Sequence, residues 1–178
     1  MIAKLDISVK PNMSPLTIEP MGAGDWPVVR SIYLEGIATG EATFETEAPS
    51  WEEWDAAHLS FARLVARSGD NVSGWAALSP VSRRKAYAGV AEVSVYVAAL
   101  SRGKGVGTAL LARVIEESEQ NGIWTLQASV FPENAATLAL HKRLGFREVG
   151  RRERISKLNG RWRDTILLER RSKRVGVT

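Results

Sequence analysis

The sequence predicts a single α/β domain built around a mixed sheet. Three observations carry this. Apolar residues alternate in some stretches and recur at helical spacing in others, in the order β-α-α-β-β-β-α-β-α-β-β. No internal repeat or low-complexity linker divides the chain. Its 178 residues suit one domain with a real core. The domain is expected over 15–170, after a loose extension at 1–14 (with Met13 as a second possible start) and before a basic tail at 171–178.

The elements follow in order. Leu16 to Pro20 reads as an edge strand closed by Pro20. Asp25 is placed to cap a helix with Pro27 in its first turn and a stripe of Val28, Val29, Ile32, Tyr33 and Ile37. Gly40 to Glu47 is a loop mixing small residues, one aromatic and three carboxylates. Ser50 and Glu53 form a capping box for a second helix, to which Trp51, Trp54, Leu59 and Phe61 are assigned. Its His58 is expected at the surface.

Arg63 to Arg67 and Gly74 to Leu78 read as a hairpin around Gly69-Asp70-Asn71. A polar loop from Pro80 to Lys85 leads to a long strand from Tyr87 to Val97. A helix runs from Val106 to about Asn121, with Gly122 past its end. Trp124 to Val130 is a strand, and Asn134 caps a helix that runs through Leu144 to Gly145. Glu148 to Leu158 and Trp162 to Glu169 close the chain as a hairpin on Asn159-Gly160.

The chain is organised around the join between the long strand and the helix at Val106. Val93, Val95 and Val97 share one strand face, and Glu92, Ser94 and Tyr96 the other. Between strand and helix stand Gly103, Gly105 and Gly107, flanked by Arg102 and Lys104. Glycine permits a sharp turn and a close backbone approach. The first amides of a helix lack internal partners and carry the positive end of its dipole. Such a join suits a phosphate or pyrophosphate. It is not a P-loop, since no Gly-Lys-Ser/Thr follows at the required spacing. It is not a dinucleotide fingerprint, since position 110 is not glycine.

Composition narrows the field. Hydrophobic content of 44% and charged content of 25% are ordinary for a soluble globular protein. No apolar run is long enough to span a membrane, and residues 1–14 show no signal-peptide pattern, so a cytoplasmic location is expected. The absence of cysteine excludes disulfides, zinc-thiolate sites and a Cys nucleophile, and no metal site is expected. The net charge is +4. Its basic residues fall on no recognisable DNA-reading helix, so no nucleic-acid partner is expected.

Arg102-x-x-Gly105-x-Gly107 after a hydrophobic strand resembles the acetyl-CoA pyrophosphate loop of the GNAT N-acetyltransferase superfamily. Four further stretches are similar to its phosphinothricin and methionine sulfone acetyltransferase branch. These are Gly40, Thr43, Phe44 and Glu45 followed by Pro49-Ser50 and Glu52-Glu53-Trp54; Lys85-Ala86-Tyr87 followed by Ala91-Glu92-x-Ser94-Val95-Tyr96-Val97; Asn134 followed by Leu140 to Phe146; and Asn159 to Trp162 with Asp164. The likeness covers about Leu16 to Leu168.

The resemblance implies a mostly antiparallel twisted sheet flanked by helices, and acetyl-CoA as acetyl donor. Val95, Tyr96 and Val97 would meet the pantetheine arm through their backbone. Gly103, Lys104, Gly105, Val106, Gly107 and Thr108 would hold the pyrophosphate through amides. Asn134 would lie near the pantetheine or thioester, and Arg143 or its neighbour Lys142 would reach the cofactor. The acceptor would be the α-amino group of a small amino acid or analogue such as phosphinothricin, methionine sulfoximine or methionine sulfone. A homodimer with the acceptor site near its interface is implied as well. Other amines (a polyamine, an aminoglycoside, a protein N-terminus) stand as alternatives within the superfamily, and a non-catalytic CoA-binding or nucleic-acid-binding module as one outside it.

Acetyl transfer to an amine needs a base, an oxyanion donor and a way to release the thiolate. Glu92 is the candidate base, because a carboxylate in mid-strand is costly unless wet, paired or functional. The other reading of Glu92 is an edge carboxylate paired with Arg or Lys. The Val97 amide is the candidate oxyanion donor, provided a strand distortion leaves it unpaired. His141 suits proton transfer, or else packs and caps its helix. Tyr96 can protonate a thiolate or simply line the cleft. Thr43, Phe44 and Glu45 are expected to cover the acceptor, with Glu45 on its ammonium. Arg83, Arg84, Lys85 and Tyr87 are candidates for its anionic group. Trp75 is either pocket wall or core. Without Cys, transfer is expected to be direct.

Overall fold

The structure is a computed structural model that describes residues 15–177. The extension at 1–14 and the question of Met13 lie outside the described residues. Seven strands form one sheet in the order β1-β2-β3-β4-β5-β7-β6. They are β1 (Leu16–Pro20), β2 (Leu64–Ser68), β3 (Asn71–Pro80), β4 (Val90–Val97), β5 (Thr125–Val130), β6 (Arg147–Leu158) and β7 (Arg161–Arg171). All neighbours are antiparallel except β4 and β5. The helices are α1 (Trp26–Ala38), α2 (Trp51–Ala57), α3 (Val106–Gln120) and α4 (Ala135–Arg143).

Strand alternation splits the core into two layers. On one face Ala76, Leu78, Ala91 and Val93 pack with Val106, Leu110, Leu111 and Val114 of α3, and with Leu138 and Leu140 of α4. On the other, Val65, Trp75 and Ala77 pack with Trp26, Val29 and Ile32 of α1 and Trp54 of α2. Four local expectations hold. Ser50 and Glu53 bond reciprocally at the start of α2. Asn134 Oδ1 accepts from the Thr137 amide, capping α4. Gly122 follows α3 at φ +79°, and Asn159 and Gly160 turn the last hairpin at φ +50° and +78°.

Other expectations are corrected. α2 stops at Ala57, so Leu59 and Phe61 lie outside it and join the other core layer. The cause is local: the His58 ring stacks on Trp54 and bonds its carbonyl, while Arg63 donates to the carbonyls of Asp55, His58 and Leu59. His58 is thus half-buried rather than a surface group. Asp25 stands at the N-cap position of α1 with Pro27 in its first turn, but its carboxylate makes no capping bond to that helix; it accepts from the Gly22 amide and pairs with Arg67 at 2.6 Å. Val28 is exposed, and the buried stripe of α1 is Trp26, Val29, Ile32 and Gly36. β4 begins at Val90, because Lys85 to Tyr87 form a 3-10 turn. There Gly89 lies against the Trp124 indole, where a Cβ would stand 2.0 Å from the ring. The basic end of the chain is tied down: Arg171 donates to the carbonyls of Trp124 and Val175, and Arg170 pairs with Glu119.

Candidate active site

The site begins where β4 and β5 part. They pair only over Val90, Ala91 and Glu92 against Thr125, Leu126 and Gln127. Beyond that, β4 stays with β3 through Val97 while β5 follows β7. Ala98 donates its amide to Ser73 on the β3 side. By alternation the amides of Val93, Val95 and Val97 face the gap. No register shift interrupts β3 against β4, so the distortion expected at Val97 is absent. The parting of the strands leaves the amides of Val95 and Val97 beyond the last β5 partner instead. A cleft of about 270 Å³ occupies the gap and is bordered by Glu92, Ser94, Val95 and Tyr96. Val97 does not border it, and its carbonyl accepts from Arg102 Nε at 3.2 Å.

Glu92 is the last paired residue before the gap, at its apex. It is half-buried and accepts from Gln127 Nε2 at 2.8 Å. Neither Arg nor Lys pairs with it among the described residues.

The glycine join leads from this strand to an open helix end. Gly103 and Gly105 have φ of +74° and +84°, the left-handed region that a side chain resists. The first helical bond of α3 runs from the Ala109 amide to the Gly105 carbonyl. The amides of Val106, Gly107 and Thr108 therefore have no acceptor within the helix. No side chain caps α3, whereas Ser50 and Asn134 cap α2 and α4. Arg102 and Lys104 are exposed beside this end, and Arg143 Nη2 donates to Thr108 Oγ1 at 2.7 Å. Lys142 is exposed. A Cβ on Gly107 would meet Leu140 at 3.2 Å, so α3 and α4 approach closely there. These residues fit a pyrophosphate: three free amides, a helix dipole and three cationic side chains. Gly105→Val should raise the KM for acetyl-CoA about tenfold, since a β-branched residue in this conformation costs roughly 1–2 kcal/mol. Steady-state kinetics at saturating acceptor would check it, and an unchanged KM would count against the assignment.

His141 also borders the cleft and is 3% exposed. Its Nδ1 donates to the Thr137 carbonyl at 2.9 Å, and Nε2 has no partner. Burial lowers its pKa, against the bond to the Thr137 carbonyl, which raises it. It packs edge-on against Phe146 as well. Thr165 of β7 was invisible to sequence reading; it is buried, borders the same cleft and has an unpartnered hydroxyl.

The loop Gly40 to Glu47 folds over the gap and is pinned at three points. Arg163 donates to the Gly40 carbonyl at 3.0 Å, Asn134 Nδ2 to the Glu41 carbonyl at 3.1 Å, and Phe44 lies edge-on to Phe131 at 4.8 Å. Thr43, Phe44 and Glu45 all border the cleft. A second cavity of about 450 Å³ adjoins it, walled by Tyr33, Trp54, Trp75, Tyr96 and His58. Trp75 is thus both core and wall, 1% exposed and stacked on Tyr96 at 4.7 Å. The carboxylates bordering this cavity are Glu45, Glu47 and Glu53; no Arg or Lys does. Glu45, Ser94 and Tyr96 belong to both spaces, so the two meet there.

Arg84, Lys85 and Tyr87 are not brought to either space. Nor is Arg83. All four are exposed, and Arg84 lies over the Tyr87 ring. They precede Val90, whereas the junction lies at Ser94 and Tyr96 toward the other end of a strand about 23 Å long at roughly 3.3 Å per residue. Tyr33, read from sequence as an apolar-stripe residue, is instead a wall of the second cavity. Among the described residues no group of His, Cys, Asp or Glu is placed to hold a metal, and no helix is long and apolar enough to cross a membrane.

A parted strand pair beside an uncapped helix end, with a carboxylate at the apex, can hold an extended, phosphate-bearing ligand next to a general base. The comparisons give the family. Its sequence model, described as the acetyltransferase (GNAT) family, matches residues 26–146. The chain is 30% identical over 159 residues to an L-methionine sulfoximine/L-methionine sulfone acetyltransferase of Pseudomonas paraeruginosa, covering 86% of this chain and 92% of the relative. It is 34% identical over 163 residues to a phosphinothricin N-acetyltransferase of Alcaligenes faecalis, covering 86% and 81%. The crystal structure of a phosphinothricin acetyltransferase from Sinorhizobium meliloti in complex with AcCoA superposes with a TM-score of 0.80 at 28% identity, covering 92% of this chain and 91% of that one. The chain belongs to the GNAT acetyltransferase family, and acetyl-CoA is its acetyl donor.

Proposed function

We propose that this enzyme acetylates the α-amino group of a small amino acid or analogue, of the phosphinothricin, methionine sulfoximine or methionine sulfone type, by direct transfer. One observation carries the reading. A donor cleft in the β4–β5 gap and an acceptor cavity walled by α1 and α2 share Glu45, Ser94 and Tyr96 as lining, with Glu92 at the apex of the gap. The names of the similar proteins supply the acceptor class.

Acetyl-CoA brings the acetyl group as a thioester. The free amides of Val106, Gly107 and Thr108, with Arg102, Lys104 and Arg143, hold its pyrophosphate. The edge of β4 receives the pantetheine as an added strand would be received. The oxyanion donor is the Val95 amide rather than that of Val97, because Val95 borders the cleft. Glu92 takes the proton from the acceptor ammonium, directly or through water, and the neutral amine attacks. Glu45 holds the ammonium on its way in. Asn134 keeps the covering loop closed through Glu41.

The test is thiol release from acetyl-CoA with phosphinothricin, methionine sulfoximine, methionine sulfone, free amino acids, spermidine and an aminoglycoside. Turnover confined to amino acids and their analogues is the expected result. A second reading has its own observation: three carboxylates and no cation border the acceptor cavity, which favours a polycationic amine. Turnover with spermidine or the aminoglycoside alone would move the assignment there. Binding of acetyl-CoA without thiol release from any amine would leave a CoA-binding module. A homodimer, implied by the resemblance, and a cytoplasmic location, expected from the composition, belong to the same proposal. Sedimentation equilibrium checks the first, and a monomer at micromolar concentration would remove it.

A further inference from the structure

Glu92 borders the β4–β5 cleft but not the cavity walled by α1 and α2. An acceptor nitrogen arriving through that cavity therefore needs a route to the base. Three residues line both spaces: Glu45, Ser94 and Tyr96. Of these, only Ser94 is the next neighbour of Glu92 on its strand face. The two stand two positions apart on β4, about 6.6 Å along a strand. Tyr96 is twice as far along, and its ring is held flat on Trp75 at 4.7 Å with 13° between planes. Glu45 belongs to the covering loop and not to the strand.

Ser94 is fixed in place and chemically free. Its backbone stands opposite Ala77 in an unbroken β3–β4 ladder, so the pleat sets the direction of its Cβ. A serine oxygen is one bond beyond Cβ and cannot stray far from that line. The residue is half-buried, and its hydroxyl has no partner among the described residues. Glu92 is its complement. Gln127 Nε2 holds Oε2 at 2.8 Å, while Oε1 has no partner among the described residues. A hydroxyl that can both donate and accept thus shares a strand face with an open carboxylate oxygen. No bond joins the two directly, and their spacing along the strand suits one water between them.

We propose that the Ser94 hydroxyl relays the proton of the acceptor ammonium to Glu92 through one bridging water. The inference rests on the transferase reading above. The ammonium N–H gives its proton to Ser94 Oγ as the Ser94 proton passes to the water. That water gives a proton to Glu92 Oε1. The nitrogen keeps the electron pair of the broken N–H bond and uses it to attack the acetyl carbon. The carbon–sulfur bond then breaks, and the thiolate takes a proton from solvent. Glu92, now a carboxylic acid, loses its proton to solvent before the next turnover. Ser94 ends each cycle with one proton, as it began.

Ser94→Ala removes the hydroxyl and leaves the small side chain that this strand position accepts. Its kcat, with both substrates saturating, should fall about tenfold. That is less than the loss expected for the base itself, because water can enter the space the hydroxyl leaves. Both KM values should stay within about twofold and the thermal midpoint close to wild type. A kcat within about twofold of wild type, or a loss confined to either KM, overturns the proposal. The same substitution in a Glu92→Gln background is the second measurement, read on the residual rate of thiol release. A relay that leads only to Glu92 has nothing left to lose there, so the double variant should match Glu92→Gln within about twofold. A further tenfold loss, as two independent roles would give, overturns the proposal. Wild-type protein that releases no thiol with any amine overturns the transferase reading and this inference together. Wild-type turnover with an unimpaired Ser94→Ala overturns this inference alone.

Discussion

Glu92→Gln is expected to lower kcat/KM at neutral pH by about two to three orders of magnitude, the usual loss when a positioned base is removed. The substitution is nearly isosteric. The glutamine oxygen can still accept from Gln127 Nε2, which bonds the carboxylate at 2.8 Å in the native protein. The apex of the gap should therefore keep its shape, and acetyl-CoA should bind within about twofold of its native affinity. What is lost is the carboxylate that stands where β4 and β5 part, the base in the proposed transfer. Stopped-flow or steady-state thiol release, beside calorimetric binding of acetyl-CoA, separates the two effects. Unchanged turnover would remove Glu92 from the mechanism. Lost binding with proportionate loss of turnover would make it a structural carboxylate.

The largest stability effect is expected at Trp54. Its side chain is 1% exposed and stands at the centre of an aromatic cluster. Ring centroids lie 5.6 Å from Trp26, 5.7 Å from Trp51, 5.8 Å from Trp75 and 4.0 Å from His58. The Arg63 guanidinium sits over the same ring at 5.6 Å. Trp54→Ala should cost about 3–5 kcal/mol, the transfer term plus the cavity it leaves. Denaturant unfolding at constant slope would measure this. Trp54 also walls the acceptor cavity. On the proposed assignment, the folded fraction should show a raised KM for the acceptor and an unaltered KM for acetyl-CoA, because Trp54 does not border the β4–β5 cleft. A loss below about 1 kcal/mol would mean that the cluster is far less tightly packed than its distances indicate.

Much of the fold was legible because its signals are short-range. The Ser50 and Glu53 box, the Asn134 cap and the Asn159-Gly160 turn each involve residues within a few positions of one another, and each formed as read. The glycine join was legible for the same reason: left-handed φ at Gly103 and Gly105 and a free helix end follow from adjacent residues. Errors came where side-chain contacts, near or distant in the chain, overrode the periodic pattern. Trp124 shaped the chain at Gly89 and delayed the start of β4. Arg63 and His58 ended α2 early.

By itself, then, the sequence determined an α/β chain whose central strand feeds a glycine turn and an anion-seeking helix, with Glu92 and Tyr96 on one strand face. Only the tertiary structure decided how that strand is used. The parting of β4 from β5 after Glu92 depends on which neighbour each strand keeps, β3 for one and β7 for the other. This pairing leaves the Val95 amide facing the gap without any register shift and puts Val95, not Val97, on the border of the cleft. It leaves Arg84, Lys85 and Tyr87 at the wrong end of the strand. It also brings Thr165 and Tyr33, from a late strand and an early helix, to the walls of the two spaces. These are contacts between residues far apart in the chain. Periodicity reports only which face a residue occupies, not what stands opposite it.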